Sequence, residues 1–200
     1  MENMDPKFNK ERRDVLKGTC GLVGAAAVMS VGVSMPAYAE AQKDAPQIGD
    51  VFVFTSGPKK DSVVMVDDVV LDAAPLTVMA KDPNGAVRDG ENFTALLYRV
   101  SKDKVPADMA PDTIDGLAAW SAVCTHQGCM MTDIHQKSIA VNAFGFICPC
   151  HDAIFDPTQE GKNTGGATSA TLAYFPIKSD GGKIVVKDLP SAHVGIKKGR

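Results

Sequence analysis

The 200-residue chain is close to charge balance, with 21 Lys and Arg residues against 24 Asp and Glu residues and a formal net charge of −3. Nucleic acids and anionic membrane surfaces are bound through concentrated basic patches, which this balance does not supply. The composition therefore argues against both as partners and favours a protein partner.

The first 39 residues have the features of a cleavable export signal. A basic, polar start containing Arg12-Arg13 is followed by a weakly apolar run over 19–35 and by Ala37-Tyr38-Ala39. The run is short and rich in Ala and Gly, and the Ala-x-Ala pattern offers a signal-peptidase site. We therefore expect a signal peptide over 1–39 and a mature chain over 40–200 with no stable membrane span.

The paired arginines resemble the twin-arginine signal, which exports proteins that are already folded. Val15 stands where that signal more often has Phe, and Glu11 replaces its usual Ser or Thr. An ordinary signal for unfolded export is the alternative. The sequence thus predicts a periplasmic protein, exported by the twin-arginine route.

Beyond residue 50 the chain alternates between short apolar segments and turn residues. The segments are rich in Val, Phe, Ile and Ala and lie at 51–55, 76–80, 93–100, 117–123, 139–143, 171–177 and 183–187. This spacing predicts antiparallel β-structure, with turns at 82–85 and 179–182. No segment has helical periodicity, and 107–114 could hold one helical turn at most. The predicted fold class is all-β, with Trp120 and Phe144 in the core.

Four of the five cysteines fall in two short blocks that also contain histidine. The blocks read Cys124-Thr125-His126-Gln127-Gly128-Cys129 and Cys148-Pro149-Cys150-His151. Two such loops facing each other can present two thiolates and two imidazoles to one inorganic centre. A Rieske [2Fe–2S] cluster uses this set, with thiolates on one iron and imidazoles on the other. Tetrahedral zinc accepts the same set, but the two additional cysteines would then need a separate explanation.

Both blocks resemble the Rieske iron–sulfur proteins of the disulfide-bearing type, whose pattern is Cys-Thr-His-x-Gly-Cys followed by Cys-Pro-Cys-His. The resemblance covers residues 95–190 or so and implies antiparallel β-sheets with a small inserted cluster-binding subdomain near 120–168. It implies four cluster ligands, with Cys124 and Cys148 on the buried iron and His126 and His151 on the outer iron. It also implies a disulfide between Cys129 and Cys150, which an oxidising compartment would favour.

Two kinds of exported Rieske protein differ around the second block. The quinol-oxidising subunit of cytochrome bc complexes usually continues Cys-Pro-Cys-His-Gly-Ser-x-Tyr-Asp, and the Ser and Tyr hydroxyls bond to cluster sulfurs. Ala153 and Phe155 occupy those two positions here. Residues 165–172 replace a Gly-Pro-Ala-Pro loop, and Gln127 replaces an apolar Leu. These differences make the chain more similar to the small subunit of arsenite oxidase and related periplasmic molybdenum enzymes.

The resemblance predicts electron transfer by a small subunit or carrier of a periplasmic oxidoreductase. Its partners would be a redox protein, such as a molybdenum-containing large subunit, and a soluble cytochrome or copper protein. Substrate chemistry is expected on the partner subunit, so no catalytic residue is assigned to this chain. The alternative is a quinol-oxidising Rieske subunit of a cytochrome bc complex. His135 and His193 lie outside both blocks and are interpreted as surface residues.

Overall fold

The computed structural model describes residues 43–131, the backbone of 134–135, and residues 144–196. Within these ranges the regular structure consists of eleven β-strands and five short 3₁₀ turns. A search of the same residues finds no helix long and apolar enough to cross a membrane. The signal peptide predicted over 1–39 and the strand predicted over 139–143 lie outside the described residues.

The strands form two antiparallel sheets. In chain order they are β1 (Val51–Phe54), β2 (Leu76–Lys81), β3 (Thr94–Arg99), β4 (Leu117–Ser121), β5 (Ile134–His135), β6 (Gly145–Ile147), β7 (Ile154–Asp156), β8 (Lys162–Gly165), β9 (Tyr174–Phe175), β10 (Ile177–Asp180) and β11 (Lys183–Val186). The larger sheet has the order β10-β11-β1-β2-β3-β4-β9, and the smaller has the order β5-β6-β7-β8. The smaller sheet is inserted between β4 and β9, which confirms the predicted all-β fold with an inserted subdomain.

The hairpin between β10 and β11 has the turn that its sequence predicts. Asp180 pairs with Lys183, which leaves Gly181 and Gly182 as the two turn residues. Their φ angles of 55° and 81° are positive, as a two-residue type I′ turn requires, and glycine adopts them without steric cost. The predicted turn over 82–85 also forms, but it lies within the longer connection from β2 to β3.

Strands β3 and β4 are apolar on both faces because they separate two buried clusters. Leu97 and Leu117 belong to a first cluster, whereas Leu96 and Trp120 belong to a second. Successive side chains of a strand point to opposite faces, so each strand contributes to both clusters in alternation. The second cluster thereby becomes the core on which the smaller sheet packs.

Aromatic contacts join the two sheets in this second cluster. The ring centroid of Trp120 in the larger sheet lies 5.9 Å from that of Phe146 in the smaller sheet, and it lies 5.6 Å from that of Tyr174 on the neighbouring strand of its own sheet. Tilted aromatic pairs of this kind each contribute about 0.5–1.5 kcal/mol beyond their buried area. Trp120 is buried as predicted, but Phe144 is only partly buried at the edge of the cluster.

Candidate metal centre

The first of the two Cys/His loops follows β4 and is closed by backbone hydrogen bonds. The N–H of Cys124 donates to the carbonyl of Cys129 at 2.9 Å, and the N–H of Gly128 donates to the carbonyl of Cys124 at 3.0 Å. Gly128 has a φ of 75°, a left-handed conformation in which a side chain is disfavoured. The loop therefore reverses sharply, and His126 lies within the reversal.

The second loop, between β6 and β7, has the same backbone pattern. The N–H of Cys148 donates to the carbonyl of Ala153 at 2.8 Å, and the N–H of Asp152 donates to the carbonyl of Cys148 at 3.1 Å. Asp152 has a φ of 53°, so it occupies the left-handed position that glycine holds in the first loop. Each loop is thus the same turn beginning at a cysteine, and His151 lies within the second.

The two cysteines that begin the loops are buried and adjacent. Cys124 is 0% exposed and Cys148 is 1% exposed, and neither forms a disulfide. Burial raises the pKa of the Cys124 thiol to about 11; the N–H groups of His126 and Gln127 oppose this shift, and the Cys148 thiol adds to it. A metal-bound thiol is deprotonated, so these two thiolates need a positive centre beside them.

The two histidines meet at the rim of the site. Their ring centroids are 4.8 Å apart with an interplanar angle of 89°, and His126 is half-buried while His151 is exposed. Nδ1 of His126 is buried and has no hydrogen-bond partner within the described part of the chain. Buried polar atoms without a partner are rare, and coordination to a metal would satisfy this one. The donor set therefore fits a centre held by two thiolates and two imidazoles.

A disulfide joins the two loops, as the resemblance implied. Cys129 and Cys150 are bonded, with their Cα atoms 6.5 Å apart and a separation of 21 positions in sequence. Their sulfurs and the Cys148 sulfur lie within 4.8 Å of one another, but the bonded pair offers no thiolate. Closing a loop of this length contributes about 3 kcal/mol by the chain-entropy relation. The disulfide thus fixes the loops against each other beside the buried cysteines.

A third loop, over 166–171, packs against both Cys/His loops. The Thr125 hydroxyl lies 3.5 Å from the Thr168 hydroxyl and donates to the carbonyl of Ala170 at 3.4 Å. A Cβ on Gly166 would lie 2.2 Å from the carbonyl oxygen of Asp152, so only glycine permits this approach. The sequence marks this run as the counterpart of a Gly-Pro-Ala-Pro loop, but it does not predict these contacts, because they join positions more than ten residues apart.

The structure also locates the remaining predicted residues. Ala153 and Phe155 are both fully buried, and Phe155 packs in the second cluster together with Cys124 and Cys148. A ring nitrogen of His193 lies 2.9 Å from the carbonyl oxygen of Ile196. The side chain of His135 lies outside the described residues.

A comparison with protein families matches the chain over residues 70–176 to the Rieske [2Fe-2S] domain. The chain belongs to this family. A [2Fe–2S] cluster is accordingly its cofactor, which sets aside zinc, and electron transfer through that cluster is its function. The all-β fold described above is therefore the fold of a member of this family.

Two relatives show the kinds of protein that this Rieske chain is similar to. It is 26% identical over 177 residues to a Haloferax mediterranei protein named as a respiratory nitrate reductase Rieske subunit, with 86% of this chain and 74% of the relative covered. It is 35% identical over 102 residues to the cytochrome b6-f complex iron-sulfur subunit of Chlorobaculum tepidum. That match covers 51% of this chain and 50% of the relative, so it spans half of each.

Proposed function

We propose that Cys124, His126, Cys148 and His151 hold the [2Fe–2S] cluster, the two cysteines on the inner iron and the two histidines on the outer iron. The observation that carries this ligand set is the buried Nδ1 of His126, which has no hydrogen-bond partner in the described residues and lies beside the second histidine. When bound, the cluster accepts and releases one electron at a time.

The chain's own residues give the cluster a buried side and an exposed side. Cys124 and Cys148 sit in the apolar second cluster, where Trp120 and Phe146 exclude water behind them. His151 is exposed at the opposite rim, next to the half-buried His126. A partner would therefore exchange electrons with the histidine side, and the apolar wall would keep the thiolates in a medium of low dielectric constant.

The type of Rieske subunit that we propose is the small subunit or carrier of a periplasmic oxidoreductase, similar to the small subunit of arsenite oxidase. Ala153 and Phe155 support it, since neither can donate the hydroxyl hydrogen bond of the quinol-oxidising type. The nitrate reductase relative supports it too, because that match extends over more of the chain. The quinol-oxidising alternative has its own support in the 35% identity to a cytochrome b6-f subunit.

The partner in this proposal is a redox enzyme subunit, such as a molybdenum-containing large subunit, with a soluble cytochrome or copper protein on the other side. The periplasm is the proposed location, reached by the twin-arginine route after cleavage of the signal over 1–39. Arg12-Arg13 supports that route, and the Cys129–Cys150 disulfide supports an oxidising compartment. Substrate chemistry is then assigned to the partner, and this chain supplies electron transfer.

Purification of the native protein from periplasmic extract tests the proposal in two steps. The protein should contain about two irons per chain and give the electron paramagnetic resonance signal of a histidine-ligated [2Fe–2S] centre. A molybdenum-containing protein should co-elute with it. An all-cysteine cluster signal would contradict the ligand set, whereas co-elution with a membrane cytochrome b would favour the quinol-oxidising alternative.

The positions that distinguish the two subunit types can be tested by adding hydroxyl groups. Ala153→Ser and Phe155→Tyr should each raise the reduction potential, and the double variant should raise it further, because hydroxyl donors to sulfur stabilise the more negative reduced cluster. A hydrogen bond to a charged acceptor is worth about 1.5–3 kcal/mol, which sets the upper limit of each rise. A redox titration followed by circular dichroism measures all of these proteins.

The control for this experiment is Ala173→Ser, which adds a hydroxyl in the first cluster at a position that is 1% exposed. Its potential should equal that of the unaltered protein. If the 153 and 155 variants keep an intact cluster and none shows a higher potential, those side chains do not face the sulfurs. The structural reason for preferring the arsenite oxidase-like type would then be lost.

A further inference from the structure

Asp152 has a backbone conformation that favours glycine. It follows the proposed ligand His151, is exposed, and has a φ of 53°. Gly128, the equivalent residue of the first loop, has a φ of 75°. The N–H of each residue donates to the carbonyl of the cysteine that begins its loop, so the two positions require the same left-handed backbone conformation. The second loop therefore carries a carboxylate where the first carries no side chain.

The left-handed conformation alone does not distinguish Asp152 from other aspartates of this chain. Asp61, Asp72 and Asp115 also have positive φ, and Asp is one of the residues that tolerate this region. Asp115, however, pairs with Lys102 at 2.6 Å. No ion pair or side-chain hydrogen bond of Asp152 is found among the described residues. Within the described part of the chain, Asp152 is thus a negative charge without a compensating partner, one residue from a proposed iron ligand.

We propose that Asp152 is a potential-setting residue, whose carboxylate holds the reduction potential of the cluster below the value that the same loops would otherwise give. This inference rests on the proposed ligand set, in particular on His151. Reduction adds one electron and hence one negative charge to the cluster. A neighbouring carboxylate repels that added charge, so it favours the oxidised form.

The size of this effect follows from Coulomb's law. A carboxylate on the residue next to His151 would lie on the order of 10 Å from an iron held by that histidine, because consecutive Cα atoms are about 3.8 Å apart. For an exposed site the effective dielectric constant lies between the protein and water values, so the interaction changes the reduction equilibrium by about three- to tenfold. For a one-electron couple this corresponds to a lowering of about 30–60 mV.

Two substitutions separate the charge of Asp152 from its backbone conformation. Asp152→Asn keeps the side-chain shape and tolerates the left-handed region, whereas Asp152→Gly also removes the steric cost of the positive φ angle. Both should raise the potential by about 30–60 mV in a redox titration at low ionic strength. Raising the salt to about 1 M should shrink the difference from the unaltered protein, because the Debye length falls to about 3 Å.

Asp61→Asn is the matched control, because Asp61 is likewise exposed and left-handed but lies in the turn that follows β1. Its potential should not change. The inference is overturned if Asp152→Asn and Asp152→Gly leave the potential unchanged, or if both lose the cluster and so reveal a structural role. An all-cysteine or iron-free spectrum in the unaltered protein would instead refute the ligand set, so the two failures are distinguishable.

Discussion

Replacing either His126 or His151 by Ala should abolish the [2Fe–2S] spectrum and reduce the iron content from about two atoms per chain to nearly none. Each substitution removes a ligand of the outer iron, and alanine offers no donor atom in its place. Even the loss of a residue that only supports a ligand typically lowers metal affinity 10–100-fold, so the loss of a ligand itself should be more severe. Iron analysis and paramagnetic resonance of the purified variants measure the effect.

The structure provides a way to separate ligand loss from misfolding. Nδ1 of His126 makes no hydrogen bond in the described structure, so its removal breaks no polar contact of the polypeptide. The His126→Ala protein should therefore retain the far-ultraviolet circular dichroism of the sheets and the Cys129–Cys150 disulfide. His193→Ala, at a histidine outside both loops, should keep the full spectrum. A normal cluster in both ligand variants would show that the wrong histidines were assigned.

The sequence predicts the larger sheet better than the smaller one. Segments of five to eight residues that are rich in apolar side chains predict β1 to β4, since each strand packs against a core on one or both faces. Strands β6 and β7 have three residues each, too few to show a period, and β8 reads Lys-Asn-Thr-Gly with half of its residues exposed. The smaller sheet is specified by contacts with its neighbours and by the loops that it supports.

A proline explains one difference between the predicted and observed strands. The apolar segment predicted as one strand over 171–177 forms two strands, β9 (Tyr174–Phe175) and β10 (Ile177–Asp180). Pro176 lies between them and has no N–H to donate to a neighbouring strand. The chain therefore leaves β4 at this point and continues beside β11. Because Pro176 is part of the sequence, this break between β9 and β10 could be predicted from the sequence.

For the metal site, likewise, the sequence predicts the features carried by short motifs but not the contacts between distant residues. The Cys and His types are local and predict the ligand chemistry before any fold is known. The equivalence of Gly128 and Asp152 depends on backbone angles in two separate loops, and the contact of Thr125 with Thr168 joins positions 43 residues apart. Such relationships are set by tertiary structure, so a single sequence does not reveal them.

Breaking the buried ion pair between Arg88 and Asp50 should cause the largest loss of stability. Arg88 Nε and Nη2 donate to the two carboxylate oxygens at 2.9 and 2.8 Å, and the N–H of Gln47 also donates to this carboxylate at 2.8 Å. The Asp50 side chain is 0% exposed and that of Arg88 is 28% exposed. The hydrogen bonds that Arg88 donates to Asp50 raise the pKa of Arg88, so the guanidinium stays charged. It ties the start of β1 to the connection between β2 and β3.

Arg88→Met should lower the free energy of unfolding by about 3 kcal/mol, the lower end of the range for stranding a buried charge, because Arg88 is partly exposed. Urea denaturation measures this loss. In the double variant Asp50→Asn/Arg88→Met the stranded charge is gone, so the loss should be smaller than the sum of the single losses. Lys102→Met is the control, since the Lys102–Asp115 pair is 70% and 68% exposed and its removal should leave the urea midpoint unchanged. Equal effects of Arg88→Met and Lys102→Met would show that the buried pair does not stabilise the larger sheet.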